Sequence, residues 1–180
     1  MVAPVLIFAV GNESRGDDAL GPLLSRELDA WLTVNKHSAQ FELLEDFQLQ
    51  IEHAMDMKDR QLVLFVDAGI NMRAPFAFYR AQANEEPVLY SHALSPAAVL
   101  KVYTQFYNEP QPEAFILCIR GEQFELGESI SKQAEDNLAG ALEFGKTLLR
   151  KPESNAWDRL CIQKTREHSI CCEDSCREPG

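Results

Sequence analysis

A chain of 180 residues, 46% hydrophobic and 25% charged, is long enough for one compact domain with its own core and too short for two. Its 17 basic and 28 acidic side chains give a formal charge of −11, which excludes a general binder of nucleic acid or of anionic membrane, since both need a cationic face. No apolar run approaches the roughly 18 residues of a membrane span, and the first residues lack the cationic start of a signal peptide. With five cysteines in an otherwise Cys-poor chain, a reduced, cytoplasmic protein fits better than a disulfide scaffold.

Taken in chain order, Val5–Val10 is a continuous apolar run, as expected for a strand buried on both faces. Leu20, Leu24, Leu28 and Trp31 recur at helical spacing, with Asp17 and Asp18 at the start of that helix. Phe41–Leu44 reads as a second strand, and Ile51, Ala54 and Met55 as one face of a short helix. Leu62–Val66 is the clearest strand and ends in Asp67-Ala68-Gly69; Phe76–Tyr79 is a further strand. Ser95-Pro96 is a helix N-cap followed by Pro at the first helical position, with Val99, Val102 and Phe106 expected on the inner face. Ala114–Ile119 is another core strand, and Ile130 through Leu149 mark a long last helix. Strands alternating with helices predict an α/β fold, a three-layer α/β/α sandwich around a mostly parallel five-stranded sheet.

Periodicity fades after Lys151-Pro152. The sequence therefore divides into a body, 1–151, and a Cys-rich tail, 152–180, expected to be partly disordered. Of the formal charge, −10 belongs to residues 1–150. Cys161, Cys171, Cys172, Cys176 and His168 in the tail have metal-ligand chemistry but lack the paired C-x2-C spacing of a structural zinc site, and read as an exposed, adventitious cluster.

Ligands of open parallel sheets bind beyond the carboxyl ends of the strands. The segment after the first strand, Gly11-Asn12-Glu13-Ser14-Arg15-Gly16-Asp17-Asp18, has no Lys-Ser/Thr after its second glycine and is not G-x-G-x-x-G. It is neither a P-loop nor a dinucleotide fingerprint. Acidic residues at a helix start are also favoured by the macrodipole, so Asp17 and Asp18 have a purely structural reading as well. Asp67 follows five apolar residues, where a charge needs a partner or a metal. With His92, from the loop before Ser95, the rim offers two carboxylates and an imidazole, a donor set suited to nickel or zinc. No Ser-His-Asp or Cys-His order assigns a nucleophile, Cys118 reads as a buried thiol, and His53 as a surface or packing residue.

The opening Gly11-Asn12-x4-Asp17-Asp18-Ala19-Leu20-Gly21-Pro22, the strand end Val66-Asp67-Ala68, and the Ser91-His92 stretch before a helix resemble the [NiFe]-hydrogenase maturation proteases. Asp46-Phe47-Gln48-Leu49-Gln50 resembles the turn after the second strand of that family, and Gly121-Glu122 its small-acidic loop. The likeness spans about residues 4–150, with the segments in the same order.

The resemblance implies a monomeric endopeptidase, of the type classed as aspartyl, with a phosphorylase/hydrolase-like fold. It would clip the C-terminal extension of a hydrogenase large-subunit precursor after nickel insertion. It implies that Asp18, Asp67 and His92 meet the nickel carried by the substrate, with no tightly bound organic cofactor. Gly11, Asn12, Asp17, Asp46 and Gln48 are the expected substrate-binding positions. A nickel-binding checkpoint module that does not cut, and a metal-dependent hydrolase of small molecules, are the competing expectations.

Overall fold

The computed structural model describes residues 2–83 and 94–161. β1 (Val5–Val10) is buried along its whole length, because the sheet continues on both sides of it and helices cover both faces. It pairs in parallel with β2 (Phe41–Asp46) and with β3 (Leu62–Gly69). β3 pairs in parallel with β5 (Glu113–Arg120), and β4 (Phe76–Arg80) runs antiparallel along the far side of β5. The order is β2-β1-β3-β5-β4, the mostly parallel five-stranded sheet expected.

Alternation along the strands divides the core in two. Ile7, Leu64, Val66 and Leu117 face α1 (Leu20–Val34) and α4 (Lys132–Arg150), which pack against each other. Leu6, Phe8, Phe65 and Cys118 face α2 (His53–Asp56) and α3 (Pro96–Tyr107). Cys118 is fully buried, as its apolar run predicts. On α1, Leu20, Leu24, Leu28 and Leu32 form the fully buried stripe, with Trp31 at its margin.

Two helix faces differ from expectation. On α3 the buried stripe is Val99, Leu100 and Tyr103, while Phe106 points outward at 69% exposure. Ser95 caps the helix by accepting the Ala98 N–H, which places the first turn and turns residues 99, 100 and 103 toward the sheet. α2 is a single turn of four residues, and only Ala54 of the expected trio faces inward, beside Leu49 and Met57. Ile51 and Met55 are exposed.

Part of the segment after Lys151 packs on the body. α5 (Ser154–Asp158) buries Trp157 completely, edge-on against Phe78 and Phe115, and the indole N–H donates to the Leu148 carbonyl at 3.0 Å. Arg80 secures the helix from outside, donating to Asp158 at 2.6 Å and to Ser154 at 3.1 Å, and it also pairs with Glu113. One large aromatic fills the hollow between β4, β5 and α4, so no periodic pattern announces it. Cys161, expected to be exposed, is half-buried against the same core. Cys171, Cys172, Cys176 and His168 lie outside the described residues. Among the described residues no helix is long and apolar enough to cross a membrane.

Candidate functional site

The strand order reverses direction between β1 and β3: from β1 the chain goes outward to β2 on one side, and from β3 it goes outward to β4 and β5 on the other. The crevice beyond their carboxyl ends is where doubly wound sheets bind ligands. A 3-10 turn, Gly16–Ala19, leaves β1 there and lies against β3.

The glycines of the opening motif are explained by close approach. Gly11 has φ +150°, and a Cβ on it would lie 1.9 Å from the Asp18 carbonyl oxygen. A Cβ on Gly21 would lie 2.2 Å from the Val10 carbonyl oxygen. Both positions let the chain fold back over the end of β1. Gly11, expected to touch substrate, thus has a packing role, and its N–H donates to the Asp46 carbonyl at 3.1 Å.

The adjacent acids Asp17 and Asp18 have different environments. Asp17 has no exposed surface, and its carboxylate accepts four hydrogen bonds: from the N–H groups of Glu122, Gln123 and Ser131 and from the Ser131 hydroxyl, at 2.7 to 3.0 Å. Burial pushes its carboxyl up, but these donors outweigh burial and hold it below the usual carboxylate range. Asp17, expected to contact substrate, is thus engaged within the chain. It ties the β5–α4 loop, including the acidic Gly121-Glu122 pair, to the end of β1, and its acceptor capacity is used in doing so.

Asp18 is half-buried, and its Oδ2 accepts the Asn12 N–H at 2.8 Å. Burial pushes its carboxyl upward, opposed by that hydrogen bond and by the Arg15 charge. Such a carboxylate gains from an arriving cation. Asn12 is committed to its own turn, with Oδ1 accepting the Ser14 N–H at 2.9 Å.

Asp67 lies within β3, which runs on to Gly69 because β5 accompanies it as far as Arg120. It is half-buried, and its Oδ1 accepts the Ala68 N–H at 2.8 Å. Val63 and Phe65 belong to the α2/α3 side of the core, so alternation sends Asp67 to that side. Register aligns it with Cys118 on one side. On the other side the β1–β3 ladder ends at Ala9–Val66, one residue before Asp67, and Val10 pairs with Asp46 on β2, so Asp46 lies two strand spacings, about 10 Å, across the sheet.

His53, read from sequence as a surface or packing residue, also joins a hydrogen-bonded group. Its ring lies 5.1 Å from that of Phe8. Nδ1 accepts the Gln50 N–H at 2.9 Å, so the ring proton sits on Nε2, 3.3 Å from Asp46 Oδ2. Asp46 Oδ1 in turn accepts the Phe47 N–H at 2.6 Å. Only spatial folding joins these residues, so their spacing carried no signal. Gln48 is exposed in the bend after β2.

His92 lies outside the described residues, two residues before Leu94, whose N–H donates to the Leu49 carbonyl at 3.4 Å. Among the described residues no three His, Cys, Asp or Glu side chains form a group that could hold a metal. The described carboxylates Asp18 and Asp67 thus supply two oxygen donors from neighbouring elements, not a complete metal centre.

No protein-family profile matches the chain, and no curated protein matches it in sequence. Solved structures do match in fold. The hydrogenase maturating endopeptidase HybD from E. coli aligns at 23% identity and TM-score 0.63, covering 82% of this chain and 93% of that one. The [NiFe] hydrogenase maturation protease HycI from Thermococcus kodakarensis aligns at 20% identity and TM-score 0.60, covering 83% and 94%. An endopeptidase from Escherichia coli aligns at 22% identity and TM-score 0.61, covering 82% and 93%. The chain has the fold of the hydrogenase maturation endopeptidases, as the resemblance of its motifs implies.

Proposed function

We propose that this protein is an endopeptidase that removes a C-terminal extension from a [NiFe]-hydrogenase large-subunit precursor after nickel has been inserted. The observation that carries this reading is the placement of Asp18 and Asp67 on adjoining elements at the switch point of a fold shared with maturation endopeptidases. We assign His92 as the third group that meets the nickel, which arrives as cargo of the precursor. The protein acts as a cytoplasmic monomer in this reading.

The chemistry follows from the carboxylates. Each is oriented by a backbone N–H, Asn12 for Asp18 and Ala68 for Asp67. Two like charges at one crevice repel each other, and burial already disfavours the charged form of Asp18. A precursor bearing a divalent cation relieves both costs, whereas a metal-free precursor does not, so cleavage becomes conditional on metal loading. Exposed Gln48, beside this rim, has side-chain amide groups suited to a peptide backbone. The reaction adds one water across one peptide bond; the nickel is suited to polarise the scissile carbonyl.

The test is incubation with nickel-loaded and nickel-free precursor, read by mass spectrometry. The expected result is release of a C-terminal peptide from the loaded form alone. Asp67→Asn and His92→Ala should each slow release by about 100-fold or more while leaving the melting temperature unchanged. Binding without any mass change would favour the checkpoint module, and equal cleavage of metal-free precursor would overturn the gating argument.

A further inference from the structure

Among the described residues the large apolar side chains that are exposed are scattered along the chain, except in one segment. Phe47, Ile51 and Met55 are exposed by 73%, 53% and 54%, all within nine residues of chain that begin directly after Asp46 at the rim. Ile51 and Met55 stand one helical turn apart, on the outer side of the turn whose inner side buries Ala54. Three exposed large apolar side chains within nine residues of chain are a feature that marks interaction surfaces more often than accident.

The segment is held firmly. Asp46 accepts the Phe47 N–H, His53 bridges Asp46 and the Gln50 N–H, and the His53 ring packs on Phe8 of the core. The Leu49 side chain is buried, and its carbonyl receives the Leu94 N–H, which ties the segment to the N-terminal end of α3. An apolar surface on a braced turn costs little ordering when it binds. Its charge is one-sided as well. Residues 46–56 contain Asp46, Glu52 and Asp56 and no Lys or Arg, while Glu45 before them pairs with Arg26 of α1. The cations just beyond, Lys58 and Arg60, are engaged by Glu109 and Glu42.

We infer that Phe47, Ile51 and Met55 form a docking ledge for the precursor, receiving an apolar segment flanked by Lys or Arg that lies outside the cleaved extension. The inference rests on the proposed function and deepens it. The rim carboxylates test for the metal, while the ledge selects which precursor reaches them. Its occupant is the precursor because the ledge is continuous with the candidate site through Asp46, and its acidic border complements a cationic flank.

The experiment measures cleavage of nickel-loaded precursor by the full chain and by three variants: the triple Phe47→Ser/Ile51→Ser/Met55→Ser, the single Glu52→Lys, and Phe106→Ser as an exposed apolar control elsewhere. The triple variant should raise KM by about tenfold or more, with kcat within about twofold. Glu52→Lys should raise KM by a smaller factor that shrinks at high salt. Phe106→Ser should match the unsubstituted chain. An unchanged KM in the triple variant overturns the ledge, as does an equal rise in Phe106→Ser. A dimer of the unsubstituted chain that the triple variant dissolves would assign the surface to a second copy. A lower melting temperature of the triple variant would assign it to this chain's own residues. If no precursor is cut, the proposed function falls, and calorimetric binding decides the ledge alone: binding lost in the triple variant sustains it, and no binding by the unsubstituted chain overturns it too.

Discussion

Helices of 15 and 19 residues cover one face of the sheet, whereas helices of 4 and 12 residues cover the other. The first face is sealed. Leu20, Leu24, Leu28, Leu148 and Trp157 are all without exposed surface, and α5 closes the far corner. Among the described residues the second face is the more thinly covered; there Asp46 and Asp67 lie near the carboxyl ends of β2 and β3, His53 is 3.3 Å from Asp46, and Phe47 and Ile51 are exposed. The difference separates two tasks. Long amphipathic helices supply most of the burial that holds the fold, and short elements leave backbone ends, carboxylates and apolar side chains accessible.

The largest effect should come from breaking the sealed face. Trp157→Ala removes a wholly buried indole, its hydrogen bond to Leu148 and its contacts with Phe78 and Phe115. The expected cost is about 3–5 kcal/mol in urea unfolding. Molecules that remain folded should still cleave precursor, because the contacts of Trp157 among the described residues are with Phe78, Phe115 and Leu148, away from Asp18 and Asp67. A loss of kcat in the folded fraction would show that the two faces are not separable.

Asp17 sits where the faces meet, and its removal should cost less. Asp17→Asn keeps the size but sets an amide against four donors, for an expected loss of about 3 kcal/mol. The pH dependence follows from the sign of its shift. A carboxyl held below its unfolded value of about 3.9 contributes stability that is complete above that value and disappears as pH falls through the folded one. Between pH 5 and pH 3 the unsubstituted chain should therefore lose more stability than Asp17→Asn, measured by urea unfolding at each pH. Parallel loss in both would assign the acid sensitivity elsewhere.

These two residues also show what could be read from sequence. Periodicity located all five strands and the long helices, because burial on a sheet or helix face repeats along the chain. It also placed Asp67 at the rim. It missed Trp157, which is a single side chain in polar surroundings and repeats with nothing. It separated Asp17 from Asp18 poorly, because both occupy the same turn and only the donors of the β5–α4 loop, more than 100 residues away, decide which one is consumed. The outward faces of α2 and α3 were misjudged for a related reason: with one to three turns, a helix is rotated by its cap and neighbours as much as by its own pattern.

The smallest expected effect concerns the thin face. Ser95 caps α3 at the point where the chain arrives from His92, and its hydroxyl accepts the Ala98 N–H. Ser95→Ala should cost about 1 kcal/mol of global stability, as N-cap deletions do. If α3 merely roofs the core, that is the whole effect, and precursor cleavage by the folded enzyme stays as it was. If the start of α3 sets where His92 reaches the nickel, kcat falls more than stability accounts for. Ser95→Asp, which restores a capping acceptor, should then recover it. Unfolding and turnover measured on the same two variants distinguish these outcomes, and recovery by Asp would tie the order of the thin face directly to the chemistry at its rim.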